Sequence, residues 1–143
     1  MRLYFDAAYV AKCYLNEPDG KAVRKLARRA SSLCSSLLSM AELACVFQRQ
    51  VRETRLTADQ AAEWRAKFLE DVQHGVWLLL PVTERLLYRV ELVVATLPPT
   101  AYLRAGDAIH LVTALDAGFT DIWTNDRHLL NAAPYFGLSG KTV

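Results

Sequence analysis

The alternation of short apolar segments with longer helical stretches is the feature that most constrains the fold of this chain. Four segments have the composition of β-strands, and helical patterns separate them: Arg2–Phe5, Leu33–Ser36, Val76–Leu80 and Asp121–Thr124. No Asn-Gly turn joins any of them into a tight hairpin. Strands that are separated by helices usually pair in parallel, so the sequence predicts an α/β domain with a mostly parallel central sheet flanked by helices.

Several helix boundaries are also predicted. Thr57 and Gln60 have capping-box spacing, which predicts a helix that begins there and runs to His74. Thr83 is expected to cap the next helix, before the Pro98–Pro99 break. Further helices are predicted over 7–15, 21–29, 39–55 and 106–117.

The run Val76–Leu80 is apolar at every position, which predicts a strand covered on both faces. Trp64 and Phe68 are also expected in the core.

Bulk composition limits the classes of protein that remain. A chain of 143 residues with 52% hydrophobic residues predicts one compact domain over residues 1–143. The net charge of +2 provides no general field for polyanions, so any nucleic-acid contact must be local. Cys13, Cys34 and Cys45 form no CxxC pair, and no secretory signal is recognised, which favours a reduced, cytoplasmic protein. Apolar runs fall short of the roughly 20 residues needed to span a bilayer, so no membrane association is expected.

Four acidic residues occupy positions where a parallel sheet places its ligand site. Asp6 and Asp126 follow strands, Glu42 lies in the first turns of the helix after the second strand, and Asp107 opens a helix. Ligands bind at the carboxyl ends of parallel strands, so these side chains are expected in one pocket. Crowded carboxylates need a cation, and oxygen ligands favour Mg²⁺ or Mn²⁺. Both one-ion and two-ion sites are compatible with this pattern.

Each acid also has a purely structural interpretation. Asp6 and Asp126 are suitable N-caps, Asp107 complements a helix dipole, and Glu42 fits a solvated helix surface. His110 lies one turn after Asp107 and is expected to pack beside the core more readily than to transfer protons. No spacing of His and Cys residues indicates a zinc site.

The acids and their neighbours resemble the motifs of a known family. In order and spacing, four segments are similar to the acidic motifs of PIN-domain ribonucleases, and the chain length is similar to that of VapC-type toxins: Tyr4–Asp6, Ser39–Leu43, Gly106–Leu111 and Thr124–Leu129. The resemblance implies a Rossmann-like PIN fold and endonucleolytic RNA cleavage that depends on Mg²⁺ or Mn²⁺. It implies catalytic and metal-binding roles for Asp6, Glu42, Asp107 and Asp126, products with 3′-hydroxyl and 5′-phosphate ends, a homodimer, and inhibition by a cognate antitoxin.

One departure from the family pattern bears on the site. Members commonly carry Ser or Thr directly after the first Asp, whereas this chain has Ala7–Ala8. Thr124 is expected to donate a hydrogen bond to an acid without contacting the metal itself.

Two alternatives to a toxin stay open, namely a PIN-like scaffold that binds RNA or protein without cutting, and a housekeeping RNA-processing nuclease.

Other chemistries are less well supported by the motifs. Phosphatases with an aspartyl nucleophile resemble Asp-x-Asp, and position 8 here is alanine. Neither GxGxxG nor GxxxxGK[ST] follows a strand, which argues against a dinucleotide or P-loop site.

Four side chains near the acidic motifs are expected to contact RNA phosphates at the pocket rim: Lys12, Arg104, Arg127 and His128.

Overall fold

A sheet of five short parallel strands forms the centre of the computed structural model, which describes residues 1–143. The strands are β1 (Arg2–Tyr4), β2 (Ser32–Ser36), β3 (Trp77–Leu80), β4 (Asp121–Trp123) and β5 (Ser139–Lys141). β1 pairs with β2, and β2 with β3, while β4 pairs with β5. A parallel bridge between Phe5 and Trp123 joins the two parts, giving the order β3-β2-β1-β4-β5.

Seven α-helices surround this sheet. They are α1 (Ala7–Lys12), α2 (Gly20–Ala27), α3 (Ser39–Arg52), α4 (Ala58–Gln73), α5 (Glu84–Ala95), α6 (Ala105–Asp116) and α7 (Arg127–Ala132). A short 3₁₀ turn over Ala133–Phe136 follows α7. The α/β fold with a parallel sheet between helices, predicted from the strand and helix pattern, is confirmed. None of the helices has the length and apolar character of a membrane-spanning segment.

The two faces of the sheet support two separate hydrophobic cores. Leu3 and Phe5 point to one face, where residues of α1, α3 and α4 pack around them. Tyr4 and Ile122 point to the other face, against residues of α6, α7 and the 3₁₀ turn. Because successive strand residues alternate between faces, a three-residue strand contributes to both cores at once.

The capping residues define helix starts as the sequence predicted. Thr57 Oγ1 accepts from Gln60 N at 3.1 Å, and Gln60 Oε1 accepts from Thr57 N at 3.0 Å, completing the capping box of α4. Thr83 Oγ1 accepts from Leu86 N at 3.1 Å at the start of α5. These side chains satisfy backbone N–H groups that have no partner within the helix.

The prediction that the whole Val76–Leu80 run and Trp64 are core residues was wrong. Trp77 is buried, but Leu78 is 50% exposed and Val76 lies before the strand with 46% of its surface exposed. Trp64 is 40% exposed. β3 is an edge strand with β2 as its one neighbour. The helices that cover the central strands therefore cover β3 incompletely.

Strand β5 was not predicted, because Ser139-Gly140-Lys141 lacks the β-branched and aromatic residues that favour strands. Its place in the sheet depends on contact with α7. A Cβ atom at Gly140 would lie 3.0 Å from the Cα atom of Leu130, so α7 can approach β5 this closely only at glycine. The close packing of α7 against β5, rather than strand propensity, accounts for the glycine in this strand.

A matched pair of leucine substitutions tests the arrangement of the second core. Leu111 of α6 is fully buried, whereas Leu92 of α5 is 64% exposed. We expect Leu111→Ala to lower the free energy of unfolding by about 2–5 kcal/mol, because it leaves a cavity. Leu92→Ala is expected to change it by less than about 1 kcal/mol. Denaturant titration of both variants measures the difference, and equal losses would contradict the described packing.

Candidate active site

Four carboxylates line one cavity of about 450 Å³ on the side of the sheet where β1 and β4 end. They belong to Asp6, Glu42, Asp107 and Asp126. Asp6 directly precedes α1, Glu42 lies in the first turn of α3, Asp107 lies in the first turn of α6, and Asp126 directly precedes α7. The structure therefore brings together all four acids that the sequence singled out.

Thr124 connects the first and last of these acids. Its Oγ1 donates to Asp6 Oδ2 at 2.5 Å and accepts from Asp126 N at 2.9 Å. Asp6 Oδ1 accepts from Tyr9 N at 2.9 Å and so caps α1. Since Thr124 is fully buried, its hydroxyl holds one carboxylate and the backbone of the next in a fixed relation. The hydroxyl beside Asp6 thus comes from the loop after β4.

The two alanines after Asp6 provide no side-chain hydrogen bond to the acid. Ala7 and Ala8 both line the acid cavity. The hydrogen bonds to the Asp6 carboxylate come instead from Thr124 and from the Tyr9 backbone.

Burial dominates the electrostatics of Asp6. The residue is 5% exposed, and desolvation raises the pKa of its carboxyl group to about 6. The hydrogen bond from Thr124, attraction to His110 and the hydrogen bond from the Tyr9 backbone lower this pKa, and repulsion by Glu42, the smallest of these contributions, raises it. The sequence led us to expect that crowding of carboxylates would be the main unfavourable effect. At Asp6 the loss of hydration raises the pKa more than repulsion between the carboxylates does.

Arg104 forms a positively charged bridge between two of the acids. Its Nε donates to Asp107 Oδ2 at 3.2 Å, and its Nη2 donates to Asp126 Oδ2 at 3.0 Å. The hydrogen bond to Asp107 and the charges of both acids raise the pKa of the guanidinium group. The Arg104 side chain is 61% exposed, so water screens these ion pairs and each contributes little to stability. The charges of Asp107 and Asp126 are thus partly neutralised by the guanidinium group of Arg104.

Glu42 is attached to the core through His110. His110 Nε2 lies 2.6 Å from Glu42 Oε1, and the Tyr4 hydroxyl lies 3.0 Å from His110 Nδ1. Because a carboxylate only accepts hydrogen bonds, Nε2–H must be the donor to Glu42. Burial raises the pKa of Tyr4 well above its usual value, so the phenol keeps its proton. His110 is 2% exposed and Tyr4 is fully buried, which restrains the Glu42 carboxylate from inside the protein.

The donor set has the chemistry of a site for a hard divalent cation. All four acids offer oxygen atoms, the ligands that Mg²⁺ and Mn²⁺ prefer. No three side chains of Asp, Glu, His or Cys converge at metal-binding spacing in the structure. Two of the acids are instead directed towards Arg104. The residues fit the ion in chemistry, and Asp107 and Asp126 would have to release Arg104 to hold one.

Two of the residues expected to contact RNA phosphates lie outside the cavity. Lys12 Nζ donates to Pro18 O at 3.0 Å and pairs with Glu17 at 3.4 Å, and its side chain is 11% exposed. Arg127 is exposed at the start of α7 without lining the acid cavity. Lys12 therefore has a local structural partner that sequence spacing did not indicate.

The remaining basic residues lie at or beside the acids. Arg104 lines the cavity directly, while the His128 ring packs against Tyr102 in an adjacent cavity. Arg49 also lines the acid cavity, and sequence reasoning missed it. Its signal was the seven-residue spacing from Glu42, which places both side chains on one face of α3.

Comparison with known proteins identifies the family and the fold. The family model described as "PIN domain" matches residues 3–134. The solved structure of VapBC2 from Rickettsia felis bound to a DNA fragment from their promoter is similar, with a TM-score of 0.69, 12% identity, and coverage of 100% of this chain and 99% of that one. The structure of FitAB bound to an IR36 DNA fragment has a TM-score of 0.69 and 12% identity, covering 99% of this chain and 94% of that one. A search of curated proteins found no match.

Replacing Asp6 by Asn tests the effect of its burial on stability. A carboxyl group whose pKa is raised on folding destabilises the fold above that pKa, and the cost fades as pH falls towards the unfolded value. With the folded pKa at about 6 against 3.8, we expect the stability of metal-free Asp6→Asn relative to wild type to rise by up to about 3 kcal/mol between pH 4 and pH 7.5.

The pH dependence separates this effect from a general stabilisation. The advantage of Asp6→Asn is expected to shrink steadily between pH 6 and pH 4, as measured by denaturant unfolding in the presence of a chelator. Glu63→Gln removes an exposed acid of α4 and serves as the control. A constant difference between the two proteins at all pH values would show that burial of the Asp6 charge is not the cause.

Proposed function

Because this chain belongs to the PIN-domain family, we propose that it is a metal-dependent endoribonuclease toxin that a cognate antitoxin neutralises. The observation that carries this proposal is the convergence of four carboxylates on one cavity. Their residues come from four separate parts of the chain, and two of them are at least nine-tenths buried. A structural role alone does not explain why so many acids share one solvent-accessible space.

In this proposal Asp6, Glu42, Asp107 and Asp126 hold Mg²⁺ or Mn²⁺. When bound, the ion supplies a polarised water and neutralises charge on the phosphate. Attack by water forms a new phosphorus–oxygen bond and breaks the bond to the 3′ oxygen, which takes up a proton. The products then carry a 3′-hydroxyl and a 5′-phosphate.

The surrounding side chains orient the acids in the proposed reaction. Thr124 fixes one oxygen of Asp6 through its hydrogen bond, and His110 fixes one oxygen of Glu42. Arg104 exchanges its two acids for a phosphate of the RNA, which its planar group binds through two N–H donors. Arg49 is a further candidate for phosphate contact, because it is exposed at the same cavity.

A protein partner is supported by the similar solved structures. Those structures are VapBC2 and FitAB complexes, each bound to DNA. By extension, this chain associates with a cognate antitoxin. The homodimer and the cytoplasmic location in this proposal come from the resemblance of the sequence motifs to VapC-type toxins. All three cysteines are free, which is compatible with a reducing compartment.

The first test is RNA cleavage by the purified protein. We expect cleavage with Mg²⁺ or Mn²⁺, none with excess chelator, and products that carry 5′-phosphates. Asp107→Asn and Asp126→Asn are each expected to lower the rate at least about 100-fold, because each removes a charged oxygen ligand. Electrophoresis of a labelled RNA measures the rates.

A surface control separates loss of ligands from loss of folding. Glu63→Gln neutralises an exposed acid on α4, outside the cavity. This variant should cleave at the wild-type rate, and circular dichroism should show all three variants folded. Undiminished cleavage by both Asp variants would reject the proposed site, whereas RNA binding without cleavage by wild type would favour the non-cutting scaffold.

A growth experiment distinguishes a toxin from a housekeeping nuclease. Expression of the wild-type chain is expected to arrest growth, and co-expression of a small protein encoded beside it should relieve the arrest. Asp107→Asn should not arrest growth, because it lacks a predicted metal ligand. Normal growth with active enzyme present, shown by cleavage in the cell extract, would favour the processing nuclease.

The hydrogen bond from His110 gives a separate prediction about metal affinity. His110→Leu removes the donor to Glu42, and we expect Mn²⁺ affinity to fall about 10-fold to 100-fold, as measured by calorimetry. His110→Gln should retain most of the affinity, because its amide can donate in place of Nε2–H. Equal losses in both variants would assign His110 a packing role without a positioning role.

A further inference from the structure

A second cavity lies beside the acid site, between the segment before α6 and helix α7. It has a volume of about 290 Å³, and the rings of Tyr102, His128 and Tyr135 line it. Tyr102 and Tyr135 are 58% and 53% exposed. The Tyr102 and His128 ring centres lie 4.1 Å apart with an interplanar angle of 40°. We call this space the aromatic cavity.

The lining of the aromatic cavity suits an uncharged planar ligand with polar edges. No Lys, Arg, Asp or Glu lines it. Thr100 and Asn131 contribute a hydroxyl and an amide, which donate and accept hydrogen bonds. The volume corresponds to roughly ten water molecules, enough for one planar base. The rings and the hydrogen-bonding side chains of this lining match the faces and the polar edges of a nucleobase.

Two residues that line the aromatic cavity are bonded to, or close in sequence to, residues of the acid site. His128 N donates to Asp126 Oδ1 at 2.8 Å, so the residue that packs on Tyr102 is bonded to one of the four acids. Arg104, two residues after Tyr102, donates to Asp126 Oδ2 at 3.0 Å. A nucleotide with its base in the aromatic cavity would therefore have its phosphate beside Arg104 and Asp126.

We infer that the aromatic cavity binds one unstacked base of a single-stranded RNA, next to the phosphate held at the acid site. Single-stranded RNA is recognised largely through bases stacked on aromatic side chains, which supports this assignment. The inference rests on the proposed function, since it takes RNA as the substrate. It adds a position at which base identity affects binding, through the Asn131 and Thr100 side chains.

Binding of modified RNA tests this inference without relying on catalysis. The probe is a fluorescent single-stranded RNA 10-mer, and a series of otherwise identical RNAs carries one abasic residue at each position in turn. Affinities are measured by anisotropy with Mg²⁺ in an Asp107→Asn background, in which cleavage is expected to be at least about 100-fold slower. We expect one abasic position to weaken binding about 10-fold.

Substitution of Tyr102 then links that position to the aromatic cavity. In Tyr102→Ala the intact RNA should bind about 10-fold more weakly, and the abasic residue should no longer matter. Tyr102→Phe keeps the ring and should bind like its parent. Tyr88→Ala removes a tyrosine that is 65% exposed on α5, outside both cavities, and should have no effect.

The outcomes separate this inference from the proposed function. If wild type cleaves RNA but Tyr102→Ala binds as its parent does, the inference fails and the proposed function stands. If wild type binds RNA in a Tyr102-dependent way without cleaving it, the inference stands and the nuclease proposal fails. If Tyr102→Ala weakens only a complex with the antitoxin, the aromatic cavity belongs to a protein partner, and the inference is overturned.

Discussion

The contact between β1 and β4 is the interaction on which the acid site depends. Phe5 and Trp123 form the parallel bridge that joins the three-stranded and two-stranded parts of the sheet. One residue further on, Asp6 N donates to Trp123 O at 3.1 Å, and Thr124 Oγ1 donates to the Asp6 carboxylate. These bonds bring the start of the chain to the segment near its end. If the bridge were lost, Asp6 would have no fixed relation to Asp126.

The acid site combines buried and accessible carboxylates. Asp6 and Asp107 are 5% and 9% exposed, whereas the side chains of Glu42 and Asp126 are 34% and 27% exposed. Desolvation makes the charge of Asp6 unfavourable, and the accessible acids allow water and ions to enter from one side. Arg104 at the open edge shows how a cation can neutralise two of these groups at once.

Helix capping and ligand binding are compatible roles for the same side chain. Asp6 and Asp126 each use Oδ1 to accept backbone N–H groups at the start of a helix. Their Oδ2 atoms contact Thr124 and Arg104 instead. A carboxylate has two oxygens with several lone pairs, so capping leaves one oxygen for the cavity. The structural interpretation of these two acids is therefore correct and does not exclude the catalytic role, which stays a prediction.

Local sequence determined the elements of this protein and the residue types at their ends. Thr57 and Thr83 define helix starts because capping depends on residues three positions apart. The strand–acid junctions at Asp6 and Asp126 are equally local, so the sequence alone was enough to identify the acids as candidates. Tertiary structure decided the exposure of β3, the strand at Gly140, and the ion pair between Arg104 and Asp126. Those features depend on which elements become neighbours, and such contacts between distant parts of the chain leave no periodic signal in the sequence.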